Sequence, residues 1–322
     1  MKKRIFAALL SALVLLTASG CGAARKPDDG RLQVVCSLFP YYDFVRAIGG
    51  EYVAPTLLIP AGRETHSFEP TPLDVIEVAE ADVFIYNGGE GEFWVSEILG
   101  AAGENISEVV CMMDHIDALE EEIVEGMQGH DHDHGHDHEA DAHHHEITYD
   151  EHIWTSPVGA KELCRAICEA LCRADSTHAD AYRANLTAYL AELDKLDAAF
   201  RSAVDGSKRC TLVFGDRFPL LYFCKTYDLR YRAAFHGCAG DTEPGLGTIK
   251  FLIDLANEED IPVVFTIELS SGKVAGVISE SSSAVPRTFY SLQNISRDDF
   301  NAGETYLSLM WKNTQVLKEA LS

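Results

Sequence analysis

Basic residues are scarce in this 322-residue sequence: 26 lysines and arginines stand against 51 aspartates and glutamates, a formal charge of −25 at pH 7. A surface of that sign repels phosphate backbones and the chain offers no basic patch, so nucleic acid is excluded as a partner and cations become the natural ligands. Long apolar runs are missing too. Beyond the first 20 residues nothing stays apolar for the ~20 positions a membrane helix needs. The sequence also lacks H-E-x-x-H and any C-x-x-C pair. The first absence argues against a metallohydrolase, and the second against a thiolate metal cluster.

What is present begins with an export signal. "MKKRIFAALLSALVLLTASGC" opens on Lys2, Lys3 and Arg4, runs apolar from Ile5 to Leu16 and closes on small residues, which marks residues 1–20 as a signal peptide. Its removal takes the formal charge from −25 to −28. Cys21 directly after Ala18-Ser19-Gly20 resembles the bacterial lipoprotein cleavage box, although Ala18 stands where leucine is usual. That resemblance implies a lipidated Cys21 with residues 21–31 as a polar tether, so the chain meets the membrane by its lipid anchor alone, on the extracytoplasmic face.

About 300 mature residues exceed what one core usually holds, so two lobes are expected. From residue 32, "LQVVCSLFP", "APTLLIP", "DVFIYNGG" and "SEVVCMMD" read as strands, alternating with helices in "YYDFVRAIGG", "TPLDVIEVAEA" and "EFWVSEILGAAG". A second series follows, with strands in "CTLVF", "LRYRAAF", "IPVVFTIE" and "PRTFYSL". Alternation of this kind predicts an α/β protein of two Rossmann-like lobes with mostly parallel sheets. Between them, Tyr182, Leu186, Tyr189, Leu190, Leu193, Leu196 and Phe200 recur at helical spacing behind a cap expected at Ser176. The lobes are therefore joined by a long, rigid backbone helix. The boundaries read as 32–157 for the first lobe, 158–207 for the linking helices and 208–322 for the second lobe.

Eight cysteines remain besides Cys21. Cys164, Cys168 and Cys172 recur every four residues and stack on one helix face, while Cys36, Cys111, Cys210, Cys224 and Cys238 sit mainly among apolar neighbours. One helical turn places Cα atoms poorly for bridging, so free buried thiols are expected.

Residues 115–150 break the pattern. They begin acidic and end in "GHDHDHGHDHEADAHHHE", which holds 8 of the 13 histidines: His130, His132, His134, His136, His138, His143, His144 and His145. With no sustained apolar periodicity, 115–150 reads as a disordered, exposed loop. Imidazoles at every second position cannot all aim rigidly at one ion, but several can chelate it loosely while the interleaved aspartates concentrate cations. The comb reads as a low-affinity metal antenna.

Open parallel sheets bind ligands beyond the carboxyl ends of their strands. That rule singles out His66 after "APTLLIP", Asp216 after "CTLVF", His236 after "LRYRAAF" and Glu268 at the end of "IPVVFTIE", with His152 just beyond the comb.

"GRETHSFEPTP" resembles the G-x-x-x-H-x-[FY]-E-P-[ST] signature of the metal-binding solute receptors of zinc and manganese ABC importers, and "DEHIWTSP" is similar to their D-P-H-x-W-x-x-P. The acidic, histidine-rich insertion is typical of the zinc members. By this resemblance His66, His152 and Glu268 are metal ligands, and Glu69, Asp150 and Trp154 support them. Two departures stand out: Glu151 replaces the usual proline, and the family's third histidine falls where this chain has Gly215 and Asp216. Either Asp216 or His236 completes the site; position favours the first, and zinc's preference for nitrogen the second.

The resemblance implies a monomeric, lipid-anchored receptor that carries Zn²⁺ to an ABC permease and is not an enzyme. Manganese is the alternative ion, since two carboxylates would suit it better. A surface metal-dependent adhesin is the alternative of another class.

Overall fold

A computed structural model describes residues 30–65, 67–102, 106–127, 148–237 and 244–322. His66, Cys21, Cys238 and all eight comb histidines lie outside them.

In the first lobe, β1 (Leu32–Cys36), β2 (Val53–Leu57), β3 (Val83–Tyr86) and β4 (Glu108–Cys111) alternate with α1 (Phe39–Gly49), α2 (Pro72–Ala79) and α3 (Val95–Ala102). The strands are all parallel and lie in the order β2-β1-β3-β4. The second lobe holds β5 (Thr211–Phe218), β6 (Arg230–His236), β7 (Val263–Thr266) and β8 (Val285–Thr288), also parallel, in the order β6-β5-β7-β8. The two sheets therefore share one topology. In each, the chain reverses its direction of travel across the sheet between the second and third strands in space. That is where such sheets open a crevice beyond their carboxyl ends.

Between the lobes run α4 (Pro157–Ala174) and α5 (Ala179–Asp205). At 27 residues, α5 is ~40 Å long. It buries Tyr182, Tyr189, Leu193, Leu196, Phe200 and Ala203. Phe44 of α1 packs edge-on against Tyr189, and Phe200 against Phe223 of the second lobe, at centroid distances of 6.0 and 4.9 Å. One apolar cluster thus runs from Val34 through α5 to Phe265 and Phe289. The helix is built into both cores, which is why it joins the lobes rigidly.

The second lobe's helices are α6 (Leu221–Tyr227), α7 (Leu246–Glu258), α8 (Lys273–Glu280), α9 (Arg297–Asn301) and α10 (Tyr306–Leu321). On the outer face of its sheet a separate cluster joins Val213, Leu252, Ala256, Val264, Ala275 and Ile278.

Three local expectations need correcting. The long helix begins at Ala179 and its N-cap residue, His178, makes no side-chain capping bond, so Ser176 is not the cap. Asp175 organises the start instead, accepting from the Thr177 amide at 3.1 Å and Tyr182 Oη at 2.7 Å. β5 continues past Phe214 to Phe218 through a register shift between Phe214 and Arg217, so Gly215 and Asp216 lie on an irregular strand. Finally, the described ends of 115–150 are ordered. Glu121 N donates to Thr148 O and Asp150 N to Leu119 O, both at 2.9 Å, around an antiparallel bridge between Glu120 and Tyr149. Backbone pairing supplies order there that side-chain periodicity did not announce.

All seven described cysteines are free; Cys36, Cys164, Cys168 and Cys224 are buried, and the other three are half-buried. No described helix is long and apolar enough to cross a membrane.

Candidate metal centre

His152 is completely buried. The segment carrying it leaves the Glu120–Tyr149 bridge and enters α4 two turns later, where Ser156 caps the helix by accepting from Gly159 N and Pro157 occupies the first turn. Asp150 fixes the ring: its Oδ1 accepts from the His152 amide at 2.8 Å and lies 3.2 Å from Nδ1. A carboxylate on one imidazole nitrogen sets ring orientation and basicity for a ligand on the other. Burial pulls the His152 pKa down, but the charge and hydrogen bond of Asp150, with Glu151 and Glu121 beyond, outweigh it and hold it above the ordinary value. Trp154 packs against the ring at 5.6 Å, and a Cβ on Gly237 of the second lobe would come within 2.9 Å of its Cε1.

On the second lobe, Glu268 stands two residues past the end of β7. Its Oε2 accepts from the Ser291 amide and its Oε1 from Ser291 Oγ, each at 2.6 Å. Burial raises its pKa against these bonds. Asp216 accepts from the Arg217 amide at 2.9 Å and the Ile267 amide at 3.4 Å, and burial likewise raises its pKa. Asp216, Glu268 and first-lobe Glu64 line one cavity of about 630 Å³. Thr65, the residue before His66, shares a smaller one with Glu64, Arg217, Glu268 and Ser291.

His236 lines neither of these cavities. Its Nδ1 is 3.0 Å from Glu121 Oε1, and it lines a cavity with Glu121, Asp150 and Gly237 that includes neither Asp216 nor Glu268. Gly215, where the resemblance puts the family's third histidine, has no room for a side chain: a Cβ there would stand 2.6 Å from the Ala275 backbone of α8. Close packing of α8 on β5 thus removes histidine from that position and leaves Asp216 as its neighbour in the crevice.

The loop leading to His66 is tied to the second lobe. Arg217 Nη1 meets Glu64 Oε1 at 3.2 Å, Asn294 Nδ2 donates to Arg63 O at 2.7 Å, and Gly62 N donates to Ile295 O at 2.8 Å. Among the described residues no three of His, Cys, Asp and Glu converge closely enough to hold a metal, and His66 is not one of them.

Sequence reasoning missed Asn87, Glu92, Glu121 and Ser291. Asn87 immediately follows β3, so the strand-end rule that found Glu268 also reaches it. Glu121 and Ser291 carry no local signal, because each matters only through a partner far along the chain.

The zinc-binding lipoprotein AdcA of Streptococcus pneumoniae is 29% identical over 312 residues, which cover 97% of this chain and 60% of AdcA. This chain thus spans well under two thirds of that relative's length. The high-affinity zinc uptake system protein ZnuA of Bacillus subtilis is 28% identical, with 97% of this chain and 96% of the relative covered. The solved structure of the metal-dependent lipoprotein YcdH from Bacillus subtilis superposes with a TM-score of 0.74 at 26% identity, covering 91% of this chain and 100% of that one. The family described as "Zinc-uptake complex component A periplasmic" matches residues 34–320, and the chain belongs to it.

Proposed function

We propose that this protein is an extracytoplasmic zinc receptor that captures Zn²⁺ between its lobes and passes it to an ABC importer permease. The observation that carries this reading is the buried His152, oriented by Asp150 through Nδ1, on a segment that Trp154 ties to Ser291, the residue that holds Glu268 of the other lobe. Relatives named for zinc uptake support the choice of ion.

In this reading His66 and His152 supply nitrogen and Glu268 supplies oxygen. Asp216 is the fourth ligand, supported by the cavity it shares with Glu268, which His236 does not line. Two nitrogens and two oxygens at ~2.0–2.2 Å complete a zinc tetrahedron and leave no position for a reacting water. Such a site captures its ion and does no chemistry on a substrate. Cys21 provides a lipid anchor, and the comb from His130 to His145 collects zinc at low affinity.

The test is chelator competition with zinc and manganese on the mature protein. One tight zinc site with manganese at least about tenfold weaker supports the reading; a preference for manganese would transfer the assignment to that ion, as the oxygen pair allows. The absence of saturable binding of either ion would end it.

A further inference from the structure

The turn after β3 reaches across the first lobe to the backbone that carries His152. Asn87 is its hub. Its Nδ2 donates to the carbonyl oxygen of Glu151 at 3.0 Å, and its Oδ1 accepts a short hydrogen bond from Tyr41 Oη. Asn87 is itself held from below: Glu92 Oε2 accepts from the amides of Asn87 at 2.7 Å and Gly88 at 3.0 Å. Asn87 and Glu92 are both buried.

A second grip lies beside the first. Both carboxylate oxygens of Glu151 accept from the Gly91 amide, at 3.0 and 3.1 Å. Gly88 and Gly89 have φ of +92° and +83°, so the turn needs glycine there, and a Cβ on Gly89 would meet the Glu151 carboxylate at 2.4 Å. Residue 151 is therefore clamped at carbonyl and carboxylate by one six-residue turn, one peptide before the imidazole. Tyr41 closes the circuit, packing edge-on against Trp154 at 6.0 Å while Trp154 packs on His152.

We infer that Asn87 and Glu92 are positioning residues for the metal site: the 87–92 turn sets where the His152 ring stands through its hold on the Glu151 backbone. Where the family's usual proline would fix the backbone at residue 151 through its own ring, this chain fixes it by hydrogen bonds from a neighbouring turn. The inference rests on His152 being a zinc ligand. Asp150 and Asn87 then divide the work. Asp150 sets the rotation of the ring, and Asn87 sets the position of the backbone from which it projects.

The experiment loads the mature protein with Co²⁺, whose visible absorption reports ligand geometry, and measures zinc affinity by chelator competition. Asn87→Ala and the near-isosteric Asn87→Asp, which exchanges the donor for an acceptor, should each weaken zinc binding by about 10-fold, within the 10–100-fold typical of outer partners. Both should also shift the Co²⁺ bands. Glu92→Ala removes the acceptor of the Asn87 and Gly88 amides and should likewise weaken zinc binding by about 10-fold and shift the Co²⁺ bands. Wild-type affinity and spectrum in the folded Asn87 variants would overturn the inference while leaving the zinc reading intact. A parent protein without tight zinc binding or tetrahedral Co²⁺ bands would instead remove the reading on which it rests.

Discussion

The indole Nε1 of Trp154 donates to the carbonyl oxygen of Ser291 at 2.8 Å, across 137 residues of sequence. This bond joins the segment bearing His152 to the residue whose amide and hydroxyl hold Glu268. The segments bearing His152 and Glu268 are thus fastened to each other through a buried contact. Trp154→Phe keeps most of the ring and leaves the Ser291 oxygen unpaired. A buried acceptor without its donor costs about 1–3 kcal/mol, so denaturant unfolding of the variant should show a loss of that size together with weaker zinc binding. An unchanged midpoint would mean the contact holds nothing together.

Asp216 and His236 make opposite predictions. Asp216 borders the cavity of Glu268, whereas His236 is bound to Glu121 beside Asp150. Asp216→Asn should lower zinc affinity by more than about 100-fold, beyond the range of outer partners, and His236→Gln by less than about 10-fold. The reverse order of losses would identify His236 as the ligand.

Glu92 makes metal-free stability depend on pH. Burial pushes its pKa up to about 7, against the opposing hydrogen bonds of the Gly88 and Asn87 amides, and the charge of Glu151 adds to the rise. The folded protein therefore holds this proton more tightly than the unfolded chain does. Glu92's contribution is intact below the ordinary carboxylate range, declines as pH rises from there through about 7, and stays lost above it. Glu92→Gln cannot ionise. Relative to the parent it should gain on the order of 2–3 kcal/mol between pH 5 and pH 8, read from urea unfolding of chelator-treated protein. Parallel stability curves for the two proteins would show that Glu92 does not titrate in this window.

The proposed antenna role makes the histidine comb separable from the tight site. Deleting residues 129–146 should lower the total zinc stoichiometry and leave one high-affinity equivalent, measured by equilibrium dialysis. Loss of the tight equivalent would place comb histidines in the principal site and contradict their role as an antenna.

Much of the fold is legible because its signals are local. Val34, Val35 and Cys36 form a buried strand by composition, and the spacing of Tyr182, Tyr189, Leu193, Leu196 and Phe200 declares the buried stripe of α5. Glu268 is legible from its place at a strand end, and His152 from its motif. Ser291 is not: "PRTFYSL" reads as one strand, but β8 ends at Thr288, and Ser291 matters through Glu268 and Trp154. Glu121 lies in a segment whose composition suggests disorder, and its value comes from His236, 115 residues away. The vacancy at Gly215 is likewise a matter of packing, since the obstructing backbone belongs to Ala275. Strand ends and periodicity report what one segment does alone, whereas these residues act only once the lobes have assembled.

Closure of side chains from both lobes around one zinc ion is tested most directly by zinc affinity in protein lacking residues 129–146. His152→Ala on the first lobe and Glu268→Ala on the second should each reduce affinity by more than about 100-fold, with the double variant retaining no tight binding. Retention of parental affinity by either single variant, in folded protein, would contradict a site shared between the lobes.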